Sequence, residues 1–224
     1  MKLPAVLWLL PLVCASCATF DDDDRRGAVE LFNGRDLEGW TAFSVKEGTR
    51  KEDVWSVQDG VIVCKGEPMG WLATTRAFTN ACLTLEYRWA PGKAPGNSGV
   101  FVRLNGAPKA LPRCVEVQLK HGNAGDLFGF HGMPVSCSDT NRAIAKKGGE
   151  LTGDLAGAKR LVGAENPPGE WNRLEIEFED DEIEVELNGK DVNEVKCAER
   201  APGPIALQSE GGEVQFRNIR IREE

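Results

Sequence analysis

Apolar residues in this chain come in short runs that alternate with polar ones, and Gly, Asn, Asp and Pro cut the runs apart. Leu174, Ile176 and Phe178 alternate with Glu175, Glu177 and Glu179. After Asp180-Asp181, Ile183, Val185 and Leu187 alternate with Glu182, Glu184 and Glu186. A period of two buries one face and wets the other, so the segment predicts a β-hairpin turning at the acidic pair. Asn188-Gly189 predicts the next tight turn, and Asp59-Gly60, between Trp55–Val57 and Val61–Cys64, predicts another hairpin. Further strands are expected over 81–90, 99–104, 114–119, 204–208 and 214–221. No segment carries a long amphipathic pattern, and Ala143–Lys147 reads as one short helical turn. Roughly ten to thirteen short strands with frequent turns predict an all-β fold, a two-sheet antiparallel sandwich in a single domain. The stretch from 121 to 170 has weak periodicity and is rich in Gly. It reads as an extended loop region, where a site is expected.

The first residues break this pattern. Lys2 precedes an apolar run, Leu3–Val13, that is too short to span a bilayer. It ends in Cys14-Ala15-Ser16-Cys17, small residues before a Cys in the manner of a bacterial lipobox. The expectation is a signal peptide over 1–16, lipidation of Cys17, an acidic linker over 17–28 containing Asp21–Asp24, and one folded domain over 29–224. Such a chain is exported and held in the bacterial envelope, at the periplasm or cell surface. A lipid anchor is its only contact with membrane. Of seven Cys, five lie beyond the lipobox. Export permits disulfides, and Cys114 with Cys137, which bracket a Gly-rich loop, is the first candidate pair.

Composition narrows the function. The chain of 224 residues carries 27 Lys+Arg against 35 Asp+Glu, a net charge of −8. That argues against nucleic acid as a partner, which needs a basic face. The signature motifs of serine hydrolases, zinc proteases, P-loop proteins and dinucleotide-binding folds are absent from the sequence. What remains is polar residues placed inside strand patterns. Glu116, Gln118 and Lys120 share one face, about 7 Å apart, while Val115, Val117 and Leu119 take the other. An acid, an amide and a cation in a row suit sugar hydroxyls, and Trp71, Trp89, Phe128 and Phe130 offer rings for apolar sugar faces. His121, His131 and Asp126 fall in the Gly-rich region, where an acid/base pair or a metal site is open to them.

Several blocks together resemble the 3-keto-disaccharide hydrolase domain family. They are Leu31-Phe32-Asn33-Gly34-Arg35-Asp36-Leu37-Glu38-Gly39-Trp40, Trp55–Gly60, Asn97–Arg103, Glu116-Val117-Gln118, Gly169–Asn172, Leu187-Asn188-Gly189, Gly203–Gln208 and Phe216–Ile219. The resemblance runs from about 29 to 222 and implies a concanavalin A-like jelly roll. It also implies cleavage of glycosides whose sugar is oxidised at C3. Carried over residue by residue, it marks Asn97, Arg103, Glu116, Gln118 and Gln208. Where the family's Leu-Gln block is usually followed by His, this chain has Ser209-Glu210, and Lys120-His121 stand where an Asp is common. The expected catalytic set is Glu116 as base or acid, with Lys120, His121 and Asp126, acting by proton abstraction and elimination or by direct hydrolysis between the carboxylates of Glu116 and Asp126. Asn97, Arg103, Gln118, Gln208, Trp71 and Phe128 are expected to bind a glycoside or disaccharide. Lys120, Arg103 or a divalent cation would steady the developing enolate, although no cofactor is specified. A non-catalytic carbohydrate-binding module and a structural envelope protein are the competing readings.

Overall fold

The computed structural model describes residues 27–197 and 199–224. The expected signal peptide, the lipidation at Cys17 and nearly all of the acidic linker lie outside the described residues. In chain order the strands are β1 (Val29–Glu30), β2 (Trp40–Ser44), β3 (Trp55–Gln58), β4 (Val61–Cys64), β5 (Gly70–Phe78) and β6 (Ala81–Trp89). They continue with β7 (Gly99–Asn105), β8 (Arg113–Gln118), β9 (Leu127–Gly129), β10 (Val135–Ser136), β11 (Ala143–Gly149) and β12 (Gly153–Ala158). The last are β13 (Asn172–Glu179), β14 (Glu182–Leu187), β15 (Lys190–Cys197), β16 (Gly203–Ser209) and β17 (Val214–Glu223), and one short helix, α1, spans Lys51–Val54.

The strands form two antiparallel sheets. The first runs β10-β15-β14-β13-β6-β17-β4-β3, with β1 added to β17. The second runs β11-β12-β9-β8-β7-β16-β5-β2. This is the all-β two-sheet sandwich that the alternation predicts, and the jelly roll that the family resemblance implies. The hairpins turn where expected. Glu179 pairs with Glu182 across Asp180-Asp181, and Gln58 pairs with Val61 across Asp59-Gly60. Both residues of the Asp59-Gly60 turn take positive φ, 49° and 76°, as the right-handed strand twist requires of a two-residue turn.

Three expectations change. Ala143–Lys147 belongs to strand β11, not a helical turn, and pairs with β12. The presumed loop region from 121 to 170 holds four strands, β9 to β12. Their Gly, Ala and Lys residues lack an alternating apolar face because β11 is an exposed edge strand. No disulfide joins Cys114 to Cys137: both are free thiols, as are Cys64 and Cys197. Cys114 sits on β8 of the second sheet, whereas Cys137 follows β10 on the first.

The main core lies between the sheets. Leu83, Leu85, Tyr87, Leu174, Ile176 and Phe178 from the first sheet meet Leu72, Val100, Val115, Val117, Ile205 and Leu207 from the second. Trp89 is 1% exposed within this core and is not an available ring. A second apolar cluster covers the outer face of the second sheet, built from Trp71, Phe101, Leu104, Leu111, Cys114, Phe130 and Ala206. The middle of sheet two is therefore dry on both sides.

Arg103 fastens the sheets at one end. A register shift follows Val102, and Arg103 takes φ 54°. Its guanidinium, fully buried, donates to the carbonyls of Asp180 (2.7 Å), Cys197 (3.3 Å) and Glu199. Those carbonyls belong to turns and strand ends of the opposite sheet, so Arg103 is not part of a ligand cleft. Removing a buried charged donor strands its acceptors. Arg103→Met is expected to lower stability by about 3 kcal/mol, read from the urea midpoint. An unchanged midpoint would show that the three carbonyls are satisfied without Arg103.

Candidate functional site

The site is built by strand register on the outer face of the second sheet. On β8, Val115 and Val117 turn into the core, so Cys114, Glu116 and Gln118 turn outward. Glu116 pairs with Phe101 of β7 on one side and Phe128 of β9 on the other. The next row outward is Gln118 opposite Gly99. One step along the β7–β16 register from Leu207–Val100 brings Gln208 level with Gly99. Gln208 in turn pairs with Trp71 of β5, and Trp71 with Phe43 of β2.

Gly99 leaves a gap in the middle of that row, and the Glu116 side chain lies across it. A Cβ at Gly99 would stand 2.4 Å from Glu116 Oε1 and 2.8 Å from its Cγ. The carboxyl is therefore led along the sheet toward Gln208 and Glu210. Glu116 is 2% exposed. Its Oε1 is buried with no hydrogen-bond partner, and so are both amide atoms of Gln208 and Oδ1 of Asn97. Unmade hydrogen bonds in a dry place are costly, and their gathering at one point marks a site prepared for something else.

Burial pushes the Glu116 pKa well above its usual 4.5. The negative charge of Glu210 adds to this, and the Gln208 amide beside the carboxyl opposes it. Glu210 is also raised by burial, against the pull of the Asn97 and Gln208 amides and the charge of Lys120. Two carboxyls thus face each other across an amide, and burial raises the pKa of Glu116 further than that of Glu210. Lys120 is exposed at the mouth, and its backbone N–H donates to Gln118 Oε1 at 2.8 Å.

Two aromatic pairs flank the carboxyls. Phe43 and Trp71 stack with ring centroids 5.2 Å apart on one bank. Phe128 and Phe130 lie 6.4 Å apart and nearly parallel on the other. The arrangement offers apolar walls with hydrogen-bonding groups on the floor, as a sugar ring requires.

Of the expected residues, the fold brings together Glu116, Gln118, Gln208, Asn97, Lys120, Trp71 and Phe128. It leaves out three. Arg103 is the clamp described above. Asp126 is buried against Arg160, accepting its backbone N–H at 2.9 Å and its Nη1 at 3.3 Å. His121 is engaged by Glu165, with Nδ1 3.1 Å from Oε2, and Glu165 also accepts from Trp89 Nε1 at 3.2 Å. Glu210, Phe43 and Gly99 are additions. Glu210 follows Gln208 at strand spacing, and that alternation was its signal. The partners of Phe43 and Gly99 come only from strand order. Among the described residues no three His, Cys, Asp or Glu side chains gather as a metal ligand set. The cleft's oxygen donors are the Glu116 and Glu210 carboxyls with the Asn97 and Gln208 amides.

A folded state that holds a carboxyl proton more tightly than the unfolded chain loses stability as pH rises. The contribution of Glu116 is complete below its unfolded pKa near 4.5. It is lost as pH climbs toward the folded-state value, at about 1.4 kcal/mol per pH unit while the proton is retained. Glu116→Gln removes this loss, so the variant is expected to gain on the parent as pH rises, read from urea midpoints at about pH 4, 6 and 8. Parallel profiles for the two proteins would count against a buried, protonated Glu116.

Comparison with known proteins gives the family and the fold. The model of the 3-keto-alpha-glucoside-1,2-lyase-like domain matches residues 27–222. A search of curated proteins finds no match. Among solved structures, a proposed glycosyl hydrolase from Parabacteroides distasonis is similar, with 22% identity, coverage of 92% of this chain and 98% of that one, and a TM-score of 0.65. The carbohydrate-binding module CBM66 from Bacillus subtilis is similar at 13% identity, with 83% and 96% covered and a TM-score of 0.58. A LamA variant from Zobellia galactanivorans, in complex with laminaritriose and laminaritetraose, is similar at 11% identity, with 83% and 92% covered and a TM-score of 0.52.

Proposed function

Given that the chain belongs to the 3-keto-alpha-glucoside-1,2-lyase-like domain family, we propose that it binds glycosides oxidised at C3 and cleaves them on the outer face of the second sheet. The observation that carries this is the Glu116 carboxyl, dry and unsatisfied on Oε1 between two aromatic walls. More coarsely, the domain is glycosyl-hydrolase-like or carbohydrate-binding. The similar folds of a proposed hydrolase and of a binding module support that class without deciding turnover.

The chemistry follows from the substrate. A ketone at C3 acidifies the hydrogen on C2. Glu210, the less buried carboxyl and the one nearer Lys120, takes that proton as carboxylate. The electron pair enters the C2–C3 enolate and then forms C1=C2 as the C1–O bond breaks. Glu116, whose burial favours the protonated carboxyl, gives its proton to the departing oxygen. The products are an alcohol and an enone sugar, to which water can add. Lys120 and the Asn97 and Gln208 amides stabilise charge on the C3 oxygen in this reading. Trp71, Phe43 and Phe128 hold the ring. His121, Asp126 and Arg103 take no part.

The competing reading is binding without turnover. It draws on the same cleft and on the likeness to a carbohydrate-binding module. The deciding experiment offers the purified chain 3-keto-glucosides and their unoxidised parents and follows release of the alcohol. Release from the oxidised sugars alone is expected, and no release with saturable binding would make the domain a binding module. Glu116→Gln is expected to lower kcat by about 10²- to 10⁴-fold while binding stays within about threefold. Export and anchoring through Cys17 belong to the same proposal. Cys17→Ser is expected to move the protein from the membrane fraction to the soluble one, and unchanged fractionation would count against the anchor.

A further inference from the structure

The Glu116 row is roofed. The chain between β7 and β8, residues 106–112, crosses the outer face of the second sheet, and Leu111 buries itself in the apolar cluster with Phe101, Cys114 and Phe130. Phe101 and Cys114 have no solvent exposure at all. A ligand therefore has no open path to the Glu116 end of the cleft.

This roof is held unlike the rest of the sheet. Among the described residues, 106–112 make no backbone-to-backbone hydrogen bond. Two side chains hold the segment instead. Trp71 Nε1–H donates to the Lys109 carbonyl at 3.0 Å. His131 Nε2 lies 2.8 Å from the Leu111 carbonyl, and since a carbonyl only accepts, that nitrogen carries the proton. Trp71 stands on β5 and His131 just after β9, on opposite sides of β8, β7 and β16. The segment is thus tied at both banks of the cleft.

Its neck is pinned separately. Arg113 donates to Asn105 Oδ1 at 2.9 Å and to Glu199 Oε2 at 2.6 Å, and Asn105 Nδ2 donates to Glu199 Oε1 at 3.1 Å. Gly106, at φ 81°, follows this neck directly. Few backbone bonds, a fixed base and a Gly at the root are the features of a segment that opens locally while the sheet stays folded.

We propose that residues 106–112 are a gate, a strap fastened by Trp71 on one bank and His131 on the other, which releases to admit a ligand to Glu116. That the ligand is a carbohydrate rests on the function proposed above; the opening itself does not.

Cys114 lies under the strap and reports on it. Cys64, equally buried but in the core between the sheets, is the control. The full chain is treated with N-ethylmaleimide under native conditions, and modification of each Cys is followed by peptide mass. Two variants accompany the parent. His131→Asn tolerates the φ of 52° at this position but is too short to reach Leu111, and Leu111→Ala removes the apolar plug. Cys114 is expected to react faster than Cys64 in the parent, and each variant should speed Cys114 by about tenfold and leave Cys64 unchanged. Equal rates for the two thiols in the parent and in both variants would mean that only global unfolding exposes Cys114, and the gate would be refuted. Adding 3-keto-glucose separates the two readings: a gated Cys114 whose rate ignores the sugar counts against the carbohydrate site and leaves the gate standing.

Discussion

A carboxyl held in a dry place with one oxygen unpaired is the constraint on which this structure turns. Glu116 can lie where it does because Gly99 has no side chain to oppose it. It stays dry because the outer face of the sheet carries its own apolar cluster under a strap. An unsatisfied buried oxygen costs free energy, and the sandwich tolerates that cost because the core on the other face of the same strands is extensive. Stability sits on one side of β8 and the unmet hydrogen bonds on the other.

That division explains the roles of the charged groups. Arg103 and Asp126 are buried too, yet each has partners, Arg103 with three carbonyls and Asp126 with Arg160. A charge so engaged holds elements together and is not available to a ligand. Glu116, Gln208 and Asn97 each keep a buried atom unpaired, and Glu210 sits among them with its pKa raised. Arg103 keeps one buried atom unpaired as well, its Nε, but beside three carbonyls it already serves, whereas the unpaired atoms of Glu116, Gln208 and Asn97 lie together.

The alternation of Glu116, Gln118 and Lys120 with Val115, Val117 and Leu119 was legible in the sequence, because strand geometry forces neighbours to opposite faces. The same rule could have led from Gln208 to Glu210. It could not show that β16 would lie beside β7, which is what brings Gln208 level with Gly99. The Gly- and Ala-rich strands from 143 to 158 were hidden for another reason. At an exposed edge little apolar surface is buried, so no period-two signal is written there.

By itself the sequence determined an all-β sandwich, its principal hairpins and the division of β8 into an apolar face and a polar one. These follow from alternation and turn residues, and both act within a few positions of the chain. Only the tertiary structure decided which polar residues meet. It separated Cys114 from Cys137 by placing them on different sheets, turned His121 to Glu165, and set Glu210 beside Glu116. It also laid residues 106–112 across the cleft. Those outcomes depend on the order of strands distant in sequence, which no local pattern encodes.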